Sequence, residues 1–151
     1  MMLRTHLAIT VFVILLFLST VSNKFVFVIM ALFACVIPDV DSGFSTIGRF
    51  KETSITRFFV KHRGILHSFS FCIIISILLA FFIPLVSLGF FVGYSSHLFA
   101  DSFTIEGIKP FWPFKKSSSW RIRTGSLLET NVFIVFILCD VLLLLFYIIS
   151  L

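Results

Sequence analysis

The chain has 151 residues, of which 59% are hydrophobic and 13% charged, and its mean hydropathy is +1.14. A soluble domain of this length lacks the interior to hide so much apolar surface, and the same composition excludes disorder, a collagen repeat and a disulfide scaffold. The net charge of +5 reads as membrane topology rather than nucleic-acid binding, because the basic residues sit between apolar runs. The expected class is an all-α polytopic membrane protein, a single transmembrane domain over 1–151 with about five crossings.

Crossing a hydrocarbon core of about 30 Å takes roughly 20 helical residues. The first predicted helix covers about 6–22 and opens on His6. Arg4, the Leu7–Leu18 run and the small residues after it also resemble a cleavable signal peptide, which would discard His6. The second predicted helix covers about 24–38 and ends at Pro38-Asp39-Val40-Asp41. Both of these carboxylates would reach one ion if the chain unwinds after Pro38, since residues two apart share a face only when extended. A helix-terminating turn with Asx hydrogen bonds is the plain alternative.

A polar segment over 39–67 follows, ending in His62-Arg63-Gly64-Ile65-Leu66-His67-Ser68. Arg63 suits a phosphate, because its guanidinium pairs two oxygens at once. Ser68 is an expected N-cap. The apolar run from Ile65 to Ala100 is too long for one crossing, since 36 residues would reach about 54 Å. Pro84 near its middle predicts a tight hairpin of two helices, about 68–83 and 85–100. The second of these carries His97-x-x-x-Asp101, whose spacing puts imidazole and carboxylate on one helical face.

The segment over 101–126 holds Thr104-x-x-Gly107 and Phe111-Trp112-Pro113-Phe114, aromatics suited to a membrane interface or to acyl-chain access. Ser126 with Glu129 fits a capping box at the start of the last helix, about 127–150. Asp140 lies too deep in that helix to join residues at its start, about 20 Å away. Cys35, Cys72 and Cys139 lie in apolar runs without metal-binding spacing and read as small fillers.

With five crossings, the N-terminus and both polar segments share a side that carries eleven of the twelve basic residues, with only Lys24 opposite. That bias makes the shared side cytoplasmic. All four histidines, together with Asp39, Asp41 and Asp101, fall at the same boundary. Ionisable groups placed so in an apolar chain are candidates for function.

A histidine near the first helix, Pro38-Asp39-Val40-Asp41, His62-Arg63-Gly64-x-x-His67-Ser68, Ser96-His97-x-x-x-Asp101-x-x-Thr104-x-x-Gly107 and Trp112-Pro113-Phe114 occur in this order. Together they resemble the YdjM-type inner-membrane proteins, a family regarded as metal-dependent hydrolases. The family usually has glycine before its first histidine, where this chain has Thr5. The resemblance implies the cytoplasmic membrane of a prokaryote and a multi-pass protein.

The expected metal ligands are His67, His97, Asp101 and Asp39, with His6 beside them. Mixed nitrogen and oxygen donors suit one or two ions of zinc, manganese or iron. The metal would generate hydroxide from bound water at neutral pH. Asp41 or His62 would act as general base or acid, and Arg63 would hold phosphate or stabilise developing charge. The expected partners are membrane lipids, including an amphipathic phosphate- or ester-containing substrate, with no nucleic acid. The competing readings are an ion handler, and a structural or regulatory membrane protein whose helix ends are tied together by a closed metal site.

Overall fold

The computed structural model of the chain describes residues 1–47, 65–114 and 116–149, without the side chains of 40–47. Five α-helices are described: α1 over Leu3–Phe17, α2 over Lys24–Ile47, α3 over Phe69–Phe82, α4 over Pro84–Ser102 and α5 over Leu127–Ile149. A single 3-10 turn, Ile65–His67, precedes α3. No strand occurs among the described residues; two isolated bridges, Thr104 with Ile122 and Ile108 with Ser118, tie the segment after α4 to itself.

α4 is the central helix, with α2, α3 and α1 packed around it, and α5 lies against α1. The reason α2 can approach α4 so closely is a pair of glycines one turn apart. A Cβ at Gly93 would stand 1.9 Å from the Ala31 carbonyl oxygen, and one at Gly89 would stand 2.8 Å from that of Phe27. Gly-x-x-x-Gly is the spacing by which small residues bring helix backbones together in lipid. The core beside this contact holds Phe27, Ala31, Ala34, Cys72, Tyr94 and Leu98.

The hairpin at Pro84 is as its sequence predicts. Ile83 separates α3 from α4, and Pro84 takes the first turn of α4, where its missing N–H costs nothing. Ser68 caps α3, its hydroxyl accepting from the Phe71 N–H at 3.2 Å. Ser126 likewise accepts from the Glu129 N–H at 3.3 Å.

α2 departs from expectation. It does not end at Pro38 but runs on to Ile47, with Pro38 inside it. Pro38 has no N–H to give the Ala34 carbonyl, a loss tolerated in a helix when neighbouring groups satisfy the carbonyls freed around the proline. A group that bonds the α2 backbone next to that gap is described below. Asp39 and Asp41 therefore lie on continuous helix rather than on an unwound strand.

Among the described residues, one helix, Leu127–Ile149, is long and apolar enough to cross a membrane by length and composition; Leu3–Phe17 and Phe69–Phe82 are shorter apolar helices. Large apolar side chains such as Phe81, Phe82, Leu142 and Phe146 are exposed on α3 and α5.

Candidate metal centre

His97 is placed by the glycine contact. One turn beyond Ala31 and Gly93 on their respective helices stand Cys35 and His97, and His97 Nδ1 lies 2.7 Å from the Cys35 carbonyl oxygen. A carbonyl only accepts, so Nδ1 carries the proton and donates. Cys35 follows Ala34, whose carbonyl Pro38 leaves without its helical donor, so His97 bonds the α2 backbone next to that gap. The bond also fixes the ring orientation and leaves Nε2 as the free lone pair, the arrangement found where histidines bind metal.

That Nε2 is buried with no hydrogen-bond partner among the described residues. It points at two carboxylates, 3.6 Å from Asp39 Oδ1 and 3.7 Å from Asp101 Oδ2. His67 Nε2 lies 3.9 Å from the same Asp101 Oδ2. Asp39, His67, His97 and Asp101 each offer a ligand atom, all within 4.8 Å of one another, and together could hold a metal ion. The gaps of 3.6–3.9 Å are too long for hydrogen bonds. They approach the roughly 3.3–3.6 Å that separates tetrahedral ligands bonded at about 2.0–2.2 Å. Two carboxylates and two imidazoles also balance the charge of a divalent cation. The donor set therefore fits such an ion. Three of the four side chains are nearly inaccessible, whereas Asp39 is 31% exposed, so access to the cluster lies on its side.

His67 is held from α4. The Tyr94 hydroxyl donates to the Leu66 carbonyl at 2.6 Å, and Ser68 Oγ donates to the Ile65 carbonyl at 2.6 Å, so the 3-10 turn is pinned at its first and middle residues. Tyr94 is fully buried. Tyr94→Phe is expected to leave the helices intact and weaken metal binding about 10-fold, as loss of a ligand-orienting hydrogen bond does. Isothermal titration of metal into wild type and variant, beside their circular dichroism, measures this.

Asp101 is fixed from below. Thr104 Oγ1 donates to the Asp101 carbonyl at 2.8 Å and accepts from the Gly107 N–H at 3.1 Å. The Thr104-x-x-Gly107 motif is thus a cap on the end of α4. Gly107 needs its glycine, with φ at +60° and Ser118 oxygen 2.3 Å from where a Cβ would stand.

His6 lies beside the four. Its ring stacks on that of His97, with centroids 3.9 Å apart and planes 7° apart, and its Nε2 is 3.3 Å from Asp101 Oδ1. The Met1 amino group donates to the same oxygen at 2.8 Å. Thr5 donates to Glu129 Oε1 at 3.2 Å, and the Met2 N–H donates to that oxygen as well. Glu129 Oε2 accepts from the Gly125 N–H at 2.6 Å. Glu129 thereby ties the start of α1, and with it His6, to the start of α5, a role beyond capping its own helix.

Of the remaining candidates, His62 and Arg63 lie outside the described residues, as does the side chain of Asp41. Asp140 is buried in α5, its Oδ1 without a hydrogen-bond partner among the described residues. Phe111 and Phe114 are exposed, as interfacial aromatics would be. The positioning groups that sequence reasoning missed are Gly89, Gly93, Tyr94 and the Cys35 carbonyl. The glycine spacing was visible in the sequence; a backbone carbonyl leaves no trace there.

The sequence matches the model of a family described as the YdjM inner membrane protein over residues 1–150. Over 103 residues it is 37% identical to the inner membrane protein YdjM of Escherichia coli (strain K12), covering 62% of this chain and 50% of that protein, and the Shigella flexneri protein of the same name gives the same figures. YvsG of Bacillus subtilis (strain 168) is 34% identical over 102 residues, covering 65% of this chain and 61% of its own. The chain thus spans about half to three fifths of the length of these relatives. No solved structure matches. The shared residues and the match along nearly the whole chain make this protein a member of the YdjM inner membrane protein family.

Proposed function

We propose that the protein is a multi-pass enzyme of the prokaryotic cytoplasmic membrane, a metal-dependent hydrolase acting on an amphipathic phosphate or ester. Asp39, His67, His97 and Asp101 would hold the ion. The observation that carries this reading is the buried Nε2 of His97, without a hydrogen-bond partner among the described residues and facing two carboxylates, beside a partly exposed Asp39. A closed structural site would bury all four donors alike. A bound divalent ion supplies water activation and charge stabilisation at neutral pH.

The chain's own groups would do the rest. Asp101 and His67 orient one another across the cluster, and Tyr94 keeps the His67 turn in place. Arg63 would bind the substrate's phosphate, and Asp41 or His62 would move the proton, roles assigned from the sequence alone. A cavity of about 350 Å3 lined by Ile9, Phe12, Phe69, Ser96, Phe99 and Phe136 adjoins this region through Ser96, the neighbour of His97. Its apolar wall suits the hydrocarbon tail of such a substrate. Five crossings with the cluster at the cytoplasmic boundary are supported by the exposed apolar faces of α3 and α5 and by the distribution of basic residues.

The test is turnover by the purified chain in lipid nanodiscs, offered phosphate- and ester-linked lipids with and without manganese or zinc. Release of phosphate or fatty acid is expected with metal, and none with chelator or in Asp101→Asn. Metal-loaded wild type with no hydrolysis of either lipid class above the buffer rate would contradict the enzymatic reading.

A further inference from the structure

We propose that the centre takes two divalent cations, with the Asp101 carboxylate bridging them and His6 binding the second. The inference rests on the metal-binding reading above and adds a position to it. His6 is fully buried, and neither of its ring nitrogens has a hydrogen-bond partner among the described residues. Buried nitrogens left so are costly unless something occupies them. Its Nε2 faces Asp101 Oδ1 at 3.3 Å, whereas His97 and His67 face the other oxygen, Oδ2, at 3.7 and 3.9 Å. One carboxylate thus turns its two oxygens to different imidazoles, and His6 stands outside the set of four that converges on a single point.

The stacking supplies the spacing. The His6 and His97 rings are nearly parallel with centroids 3.9 Å apart, and both turn Nε2 toward the same carboxylate. The separation of the two rings matches the roughly 3.5–4 Å between the ions of two-metal hydrolytic sites. Oδ1 also accepts from the Met1 amino group at 2.8 Å, so a second ion here takes the place of that ammonium on the carboxylate. The ligand class is a second borderline cation such as manganese or zinc, suited to imidazole and carboxylate together.

The experiment is titration of the metal-stripped full chain with manganese alone, read by equilibrium binding and electron paramagnetic resonance. Wild type is expected to bind about two ions per chain, the second producing a spin-coupled spectrum, as a shared carboxylate between close ions requires. His6→Gln is expected to bind about one, with the spectrum of an isolated ion. A single equivalent in wild type, or two that stay uncoupled, would overturn the bridge while leaving the metal-binding reading standing. No binding at all by wild type would overturn both. The wild-type spectrum decides the question by itself should His6→Gln fail to fold.

Discussion

His97→Ala is expected to weaken metal binding by more than about 100-fold, at the upper end of what supporting groups around a metal contribute. The substitution removes the one donor whose orientation is fixed from both sides. Nδ1 is held by the Cys35 carbonyl, and Nε2 sits between Asp39 and Asp101. Alanine also removes the bond to that carbonyl, and it leaves two carboxylates facing one another with less compensation. Stability should therefore fall together with affinity, by about 0.5–1.5 kcal/mol for the lost hydrogen bond alone. Metal content after gel filtration and the thermal unfolding midpoint in detergent measure the two effects. Metal retained in full by the variant would remove His97 from the ligand set.

Gly93→Ala is expected to cost about 3 kcal/mol or more, toward or beyond the usual limit for overpacking. Its methyl would stand 1.9 Å from the Ala31 oxygen. The obstacle is backbone on a packed helix, not the end of a flexible side chain, so α2 and α4 must separate. Cys35 and His97 sit one turn further along those same helices, so the separation acts directly on their 2.7 Å bond. Metal affinity should fall by about 10-fold or more even though Gly93 touches no ligand. A control on the exposed side, Phe91→Ala, should leave both quantities nearly unchanged. Thermal unfolding and metal titration of the two variants make the comparison.

Much of the arrangement was legible from residue order. Pro84 divides one over-long apolar run into a hairpin, because a proline fits the first turn of a helix, where its missing N–H costs nothing. The i, i+4 spacing places His97 and Asp101 side by side, and His67, at the entry to α3, comes to the same level. The course of α2 was not legible. Pro38 followed by two acids reads as a stop, whereas α2 continues through it, with a donor from α4 on the carbonyl beside the gap. Glu129 was legible as a capping residue but not as the tie to Thr5 and Met2, since that contact joins the two ends of the chain. The proton-moving and phosphate-binding roles of Asp41, His62 and Arg63 rest on residue type alone.

The central claim is that Asp39, His67, His97 and Asp101 share a cation. X-ray absorption at the zinc edge, on the purified chain loaded with one equivalent, tests it most directly. The account predicts a shell of mixed nitrogen and oxygen at about 2.0–2.2 Å, with the outer-ring scattering of at least two imidazoles. Zinc that washes away on desalting, or a shell of oxygen without imidazole scattering, would contradict it.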